Sequence, residues 1–221
     1  MVNFINKNPT LETCWRSTVL LGRNTASYKF SLAKTLLEFP NKNSFIKLDD
    51  LALPFAENVT RHLRKNDKQS TGTSNSFLDA CRKYNNSRIS KDQLISDTKR
   101  YGFRYVFDAF HNVAKSEIPR FFEPSKGQSR GLTLTDNFHK LVEKQQISNL
   151  TSEVESRWRL WETAISLGIN ANLIEIIVDD THETLFIFKD YTNRMSTKAE
   201  SLVIGISGGI DSSVSSTLSA M

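Results

Sequence analysis

The residues whose types and spacing point most directly to chemistry stand near the end of the chain, in Ser207-Gly-Gly-Ile-Asp-Ser212. An apolar run, Leu202 to Ile206, precedes them and reads as a strand; a helix is expected to open around Asp211 and Ser212. In such a strand, turn and helix, Gly208 and Gly209 let the backbone approach an oligophosphate. The first N–H groups of the helix, which have no partner inside it, point at the anion. Ser207 and Ser212 add hydroxyl donors, and the Asp211 carboxylate is suited to a magnesium ion that neutralises phosphate charge.

The loop lacks the Gly-Lys-Ser/Thr ending of a Walker loop, so it has no lysine for phosphoryl transfer by that route. It resembles the pyrophosphate-binding loop of the ATP pyrophosphatase (PP-loop) family. Within that family the stretch from Lys189 to Ala220 is most similar to the start of the NAD synthetase domain. The resemblance implies ATP and Mg2+ as cofactors and an adenylating amide ligase, serving NAD biosynthesis, that cuts ATP between its α and β phosphates. It also implies that Ser207, Gly208, Gly209, Asp211 and Ser212 hold the pyrophosphate, with Asp211 on the metal. Only about the last thirty residues share it. One strand and one helix before Met221 supply no neighbouring strand and no acceptor site, so the chain as given is expected not to turn over ATP by itself.

The elements ahead of the loop read as helical. Apolar residues recur every three or four positions through residues 10–38 (Leu11, Trp15, Val19, then Tyr28, Leu32, Leu36), with a start at Asn8-Pro9-Thr10 and a break at Gly22-Arg-Asn24. Further helices are predicted over 54–65, with Pro54 at its first position, and over 75–84, 90–100, 103–113, 135–146 and 149–167. Ser90 suits an N-cap. Trp158 and Trp161 are expected in the core. Two stretches rich in Ser, Thr, Gly or Pro, Asn66–Asn75 and Glu123–Gly131, read as mobile loops. The β-rich runs Leu173–Val178 and Leu185–Phe188 read as an antiparallel hairpin. The expected fold class is therefore mainly α with a small β-hairpin, followed by the first strand, loop and helix of a truncated α/β domain, which the resemblance makes adenine nucleotide α-hydrolase-like. Residues 1–190 form the helical module and 191–221 the incomplete PP-loop segment.

The helical module has a resemblance of its own. The stretch Thr10–Lys34, with Phe77–Arg82, Asp108–Asn112 and Glu153–Glu162, is similar to the helical region ahead of the nuclease domain in some bacterial HNH endonuclease proteins. No nuclease constellation follows it, and His111 beside Asn112 has no second set of ligands near in sequence. This resemblance implies an alternative function: a nucleic-acid-binding, defence-related module lacking its nuclease.

Charge bears on that alternative. The chain has 29 Lys and Arg against 24 Asp and Glu, a net charge of +5. The basic residues concentrate at Arg61, Arg64, Lys65, Lys68, Arg82, Lys83, Arg88, Lys91, Lys99, Arg100 and Arg104, interleaved with Tyr84, Tyr101, Phe103 and Tyr105. Two readings fit: a phosphate-backbone surface with stacking side chains, or solvated helix faces over a Phe-rich core. Cys14 and Cys81 are expected to be buried free thiols, and the four histidines, His62, His111, His139 and His182, have no metal-ligand spacing. With no membrane-length apolar run and no secretory signal at the N-terminus, the expected location is cytoplasmic, without a membrane partner.

Overall fold

The computed structural model describes residues 10–39, 44–73, 75–113, 116–125, 130–143, 147–169 and 171. The chain separates into two units, Met1–Ile174 and Glu175–Met221, and every described residue lies in the first. That unit is mainly helical, with a small three-stranded antiparallel sheet. The expected hairpin over 173–188 and the strand, loop and helix over 202–221 lie outside the described residues.

Helices α1 (Leu11–Leu20) and α2 (Tyr28–Glu38) satisfy the periodicity of residues 10–38, with the break where glycine and asparagine predict it. Thr10 caps α1 by accepting from the Thr13 N–H at 3.2 Å. Residues 29–37 of α2 are all buried, so this helix has no solvent face and forms the axis of the unit. It packs against α3 (Leu48–Leu63) and against α8 (Ile147–Leu167). On α8 the face formed by Leu150, Val154, Trp158, Trp161 and Ile165 is buried. Gly168, at φ +73°, ends α8 in a left-handed turn that a side chain would strain.

α3 corrects one expectation. It starts at Leu48, two turns before Pro54, which lies inside the helix rather than at its first position. Leu48, Leu51, Ala52 and Phe55 continue one buried face across the proline, and their burial outweighs the lost N–H and the ring clash. Asp49 and Asp50 in the first turn complement the helix dipole.

α4 (Ser76–Asn85) and α5 (Lys91–Asp97) are capped by Asn75 and Ser90, whose side chains accept from the Leu78 and Gln93 N–H groups at 3.3 and 3.2 Å. α5 runs on into a π-helical turn, Thr98–Gly102. The helix predicted over 103–113 shrinks to one turn, α6 (Val106–Ala109). Val113 pairs with Ser116 in a two-stranded ribbon of β2 (Asn112–Val113) and β3 (Ser116–Glu117). Burying Phe110, Val113, Phe121 and Phe122 together takes precedence over extending the helix.

The sheet has the order β1-β5-β4, from β1 (Phe45–Lys47), β4 (Phe122–Ser125) and β5 (Gly131–Leu134). Glu123, Pro124, Ser125 and Gly131, assigned to a mobile loop from composition, are paired strand residues. α7 (Asp136–Glu143) follows β5 and packs on α1. The other expected mobile loop is also held: Ser27 N–H donates to the Gln69 carbonyl at 3.1 Å and Thr71 N–H to the Thr25 carbonyl at 2.9 Å. The Gln69 side chain is fully buried, a role that Ser, Thr and Gly neighbours do not disclose.

Aromatic rings dominate the core. Trp15 meets Phe121 edge-on at 5.1 Å, Phe55 stacks on Phe77 at 5.4 Å, and Phe30 lies against Trp158 and Trp161. Cys14 and Cys81 are buried free thiols, and burial pushes the Cys81 thiol far up from its ordinary pKa. Among the described residues no helix is long and apolar enough to cross a membrane.

Candidate nucleic-acid interface

Ser207, Gly208, Gly209, Asp211 and Ser212 lie outside the described residues. The basic stretch lies within them, carried by α3, α4, α5, the π turn and the connections between them, and these elements pack on one another. Asn85 ties the C-terminal ends of α3 and α4 together: it accepts from Arg64 Nε at 3.0 Å and donates to the Thr60 carbonyl at 2.9 Å. At the other end, the Lys99 ammonium pairs with Asp49 and holds the π turn beside the first turn of α3. Arg61, Arg64 and Lys65 therefore stand at the C-terminal end of α3, Arg100 follows Lys99 beside its first turn, and Arg104 follows Phe103, which packs on Phe55 in the middle of the helix. The 16 residues of α3 span about 24 Å.

Most of these cations have no acidic partner. Arg61, Lys65, Lys83, Arg88, Lys91 and Arg104 are exposed, and none forms an ion pair with a described residue. The exceptions serve the fold. Arg82 bridges Asp67 at 2.7 Å and Asp79 at 3.0 Å, and Lys68 donates to the Ile165 carbonyl. The shallow recess that Arg82 and Lys68 line with residues 66–73 thus has its cations already engaged.

The four aromatics, equivalent in sequence, take different places. Phe103 is 5% exposed and packs on Phe55 at 4.7 Å and Phe107 at 4.9 Å. Tyr84 and Tyr101 are half-buried. Tyr105 is 69% exposed. The guanidinium carbons of Arg100 and Arg104 lie 5.1 and 5.2 Å from the ring centres of Tyr101 and Tyr105.

A second polar constellation, which sequence reading missed, is buried between α2, α3, α8 and residue 69. His62 Nδ1 lies 2.7 Å from Glu162 and Nε2 3.3 Å from Glu155, and its ring stacks on Trp158 at 3.5 Å. Lys34 donates to Glu155 at 2.6 Å, Gln69 donates to Glu162, and Trp158 Nε1 donates to Gln69 at 2.9 Å. Burial alone would raise the Glu155 pKa, but the Lys34 hydrogen bond, the charges of His62 and Lys34 and the Arg159 hydrogen bond outweigh it and hold it down to about 2. The available signal was Glu155 and Glu162, two turns apart beside the Trp158 face of α8. Its polar side chains are bonded mainly to one another, with Glu155 reaching the surface at Arg159, and its chemistry is that of an internal ionic latch.

His111 has a structural role. Its Nε2 accepts from the Phe121 N–H at 3.0 Å, and burial, with the nearby charges of Arg120 and Lys29, lowers its pKa to about 4. Lys29 is 4% exposed, and burial lowers it to about 8. Its ammonium fills the space beside Gly22 where a Cβ would stand 2.4 Å away, at the C-terminal end of α1. Among the described residues no three His, Cys, Asp or Glu side chains converge as metal ligands.

No protein-family model, curated protein or solved structure matches the chain.

Proposed function

We propose that the helical unit binds nucleic acid through the surface formed by α3, α4, α5 and the π turn. The observation that carries this reading is the confinement of positive charge. Residues 61–104 contain eleven Lys and Arg against four Asp. Across the rest of the chain acidic residues slightly outnumber basic ones, so the whole excess lies on this stretch. Its exposed cations are largely without acidic partners, and they are spread along the packed helices rather than gathered at one point. Solvated helix faces usually interleave the two signs; here one sign predominates. The HNH-type resemblance of residues 1–190 agrees with this reading.

The test is binding of a labelled oligonucleotide at about 50 mM and about 200 mM salt, by the native chain and by a variant with Arg61, Arg64, Arg100 and Arg104 changed to Gln. Steep salt dependence that the variant loses supports the proposal. Absence of binding at low salt sinks it.

The glycine loop supports a second reading, an ATP- and Mg2+-binding segment of the PP-loop type, on the strength of Ser207-Gly-Gly-Ile-Asp-Ser212 following an apolar run. Calorimetry with ATP and Mg2+ on the native chain, Asp211→Asn and Gly208→Val tests it. Binding weakened by both substitutions supports the loop, and equal binding in all three refutes it.

A further inference from the structure

We infer that Arg100–Tyr105 is a base-stacking step, so that the partner of the basic surface is single-stranded nucleic acid rather than duplex. The inference rests on the nucleic-acid reading and specifies its ligand. The sequence Arg100-Tyr-Gly-Phe-Arg-Tyr105 places two Arg-Tyr pairs four residues apart across the end of the π turn. Two residues between the pairs anchor the segment. A Cβ on Gly102 would meet Phe55 at 3.2 Å, and Phe103 is buried between Phe55 and Phe107. The backbone is therefore fixed on the core while the pairs on either side face outward to different degrees.

Tyr105 is the most exposed large apolar side chain among the described residues, although Phe103 and Val106 beside it in sequence are buried. Its ring lies beside the Arg104 guanidinium, whose carbon is over the ring, and most of the side chain is open to solvent. An exposed aromatic with a cation at its side offers an unpaired nucleotide both of its needs, a π-face for the base and a charge for the phosphate. The half-buried Tyr101 with Arg100 repeats the arrangement one step away. Bases inside a duplex are already stacked on one another and present only edges and phosphates, so a duplex gains nothing from Tyr105. A strand whose bases splay out does.

The experiment measures fluorescence anisotropy with a mixed-sequence single-stranded oligonucleotide and with the blunt duplex of the same sequence. The proteins are the native chain, Tyr105→Ala, Tyr105→Trp and the four-arginine variant. Tyr105→Ala is expected to weaken single-strand binding by roughly 5- to 150-fold, the range for losing one base–aromatic stack, with duplex binding little changed. Tyr105→Trp is expected to restore the affinity, since an indole stacks at least as well. Tighter duplex binding by the native chain, or equal losses on both ligands in Tyr105→Ala, overturns the inference. If the arginine variant loses binding and Tyr105→Ala does not, the single-strand inference alone falls. If the native chain binds neither ligand, the nucleic-acid reading falls with it.

Discussion

Two sets of charges in this unit differ in one respect. Inside, Lys34 pairs with Glu155, and His62, Gln69 and Trp158 complete the hydrogen bonds around Glu155 and Glu162. Outside, Arg61 and Lys83 on helices and Lys65, Arg88 and Arg104 in the connections between them stand exposed without acidic partners among the described residues. Residue type does not separate the two sets; burial does. A charge leaving water needs a partner in the fold, whereas one in water needs none and stays available to a ligand. On the proposed reading the inner set belongs to stability and the outer set to recognition, so each substitution should move one property and spare the other.

The largest effect on stability is expected from Glu162→Ala. It leaves one nitrogen of His62 and one N–H of the Gln69 amide without their acceptor in a buried site, the amide keeping the Asn66 carbonyl, and two such losses at about 1–3 kcal/mol each come to about 2–6 kcal/mol. Urea unfolding would show it as a lowered midpoint, with oligonucleotide binding unchanged wherever the protein remains folded. A cost below about 1 kcal/mol would mean that the latch is not a unit.

Acid should act next. With its pKa held down to about 2 from an ordinary 4.5, Glu155 contributes stability that is fully present above pH 4.5 and is lost as pH falls through about 2. His111, lowered from 6.5 to about 4, contributes a loss that begins higher, as pH falls from 6.5 toward 4. Glu155→Gln should remove the lower part of this acid limb and leave the upper; an unchanged profile would contradict the pairing with Lys34.

Lys29 runs the other way. Because burial lowers its pKa from 10.5 to about 8, the folded state holds the charged form poorly, and stability should rise as pH increases from about 8 to 10.5. Lys29→Met should abolish that rise and match or exceed the native stability at neutral pH. A destabilised methionine variant would show that the ammonium's place at the end of α1 is worth more than its desolvation costs.

The smallest stability effect belongs to the surface. Changing Arg61, Arg64, Arg100 and Arg104 to Gln should shift unfolding by no more than about 0.5 kcal/mol per site, because none of the four is in an ion pair with a described residue. Arg64 is the most sensitive of them, since it donates to Asn85.

Much of the helical architecture was legible in the sequence because the apolar spacing that marks a helix is the same spacing that buries it. Trp15 and Val19, Leu32 and Leu36, and Trp158, Trp161 and Ile165 all lie in the core. The caps at Thr10 and Ser90 were legible for local reasons, since a side chain serves an N–H three residues on. Features that depend on distant partners were not. The start of α3 is set by burial of Leu48 and Leu51, whereas Pro54 is a strong local signal that points elsewhere. Strands β1, β4 and β5 are too short to show alternation, and Gln69 gains its role only from Trp158 and Glu162 on a helix some ninety residues away. In the basic stretch, counting charges located the segment, but only the folded π turn separates buried Phe103 from exposed Tyr105.

The central claim, that the unpartnered surface cations serve a polyanion, is tested most directly by the salt dependence of binding to one single-stranded oligonucleotide. The logarithm of the affinity should fall linearly with the logarithm of salt concentration. The variant with Arg61, Arg64, Arg100 and Arg104 changed to Gln should show a slope shallower by about 3, since each lost phosphate contact removes about 0.7. Its melting transition should remain native. A native chain that does not bind at low salt, or equal slopes for the two proteins, would contradict the account.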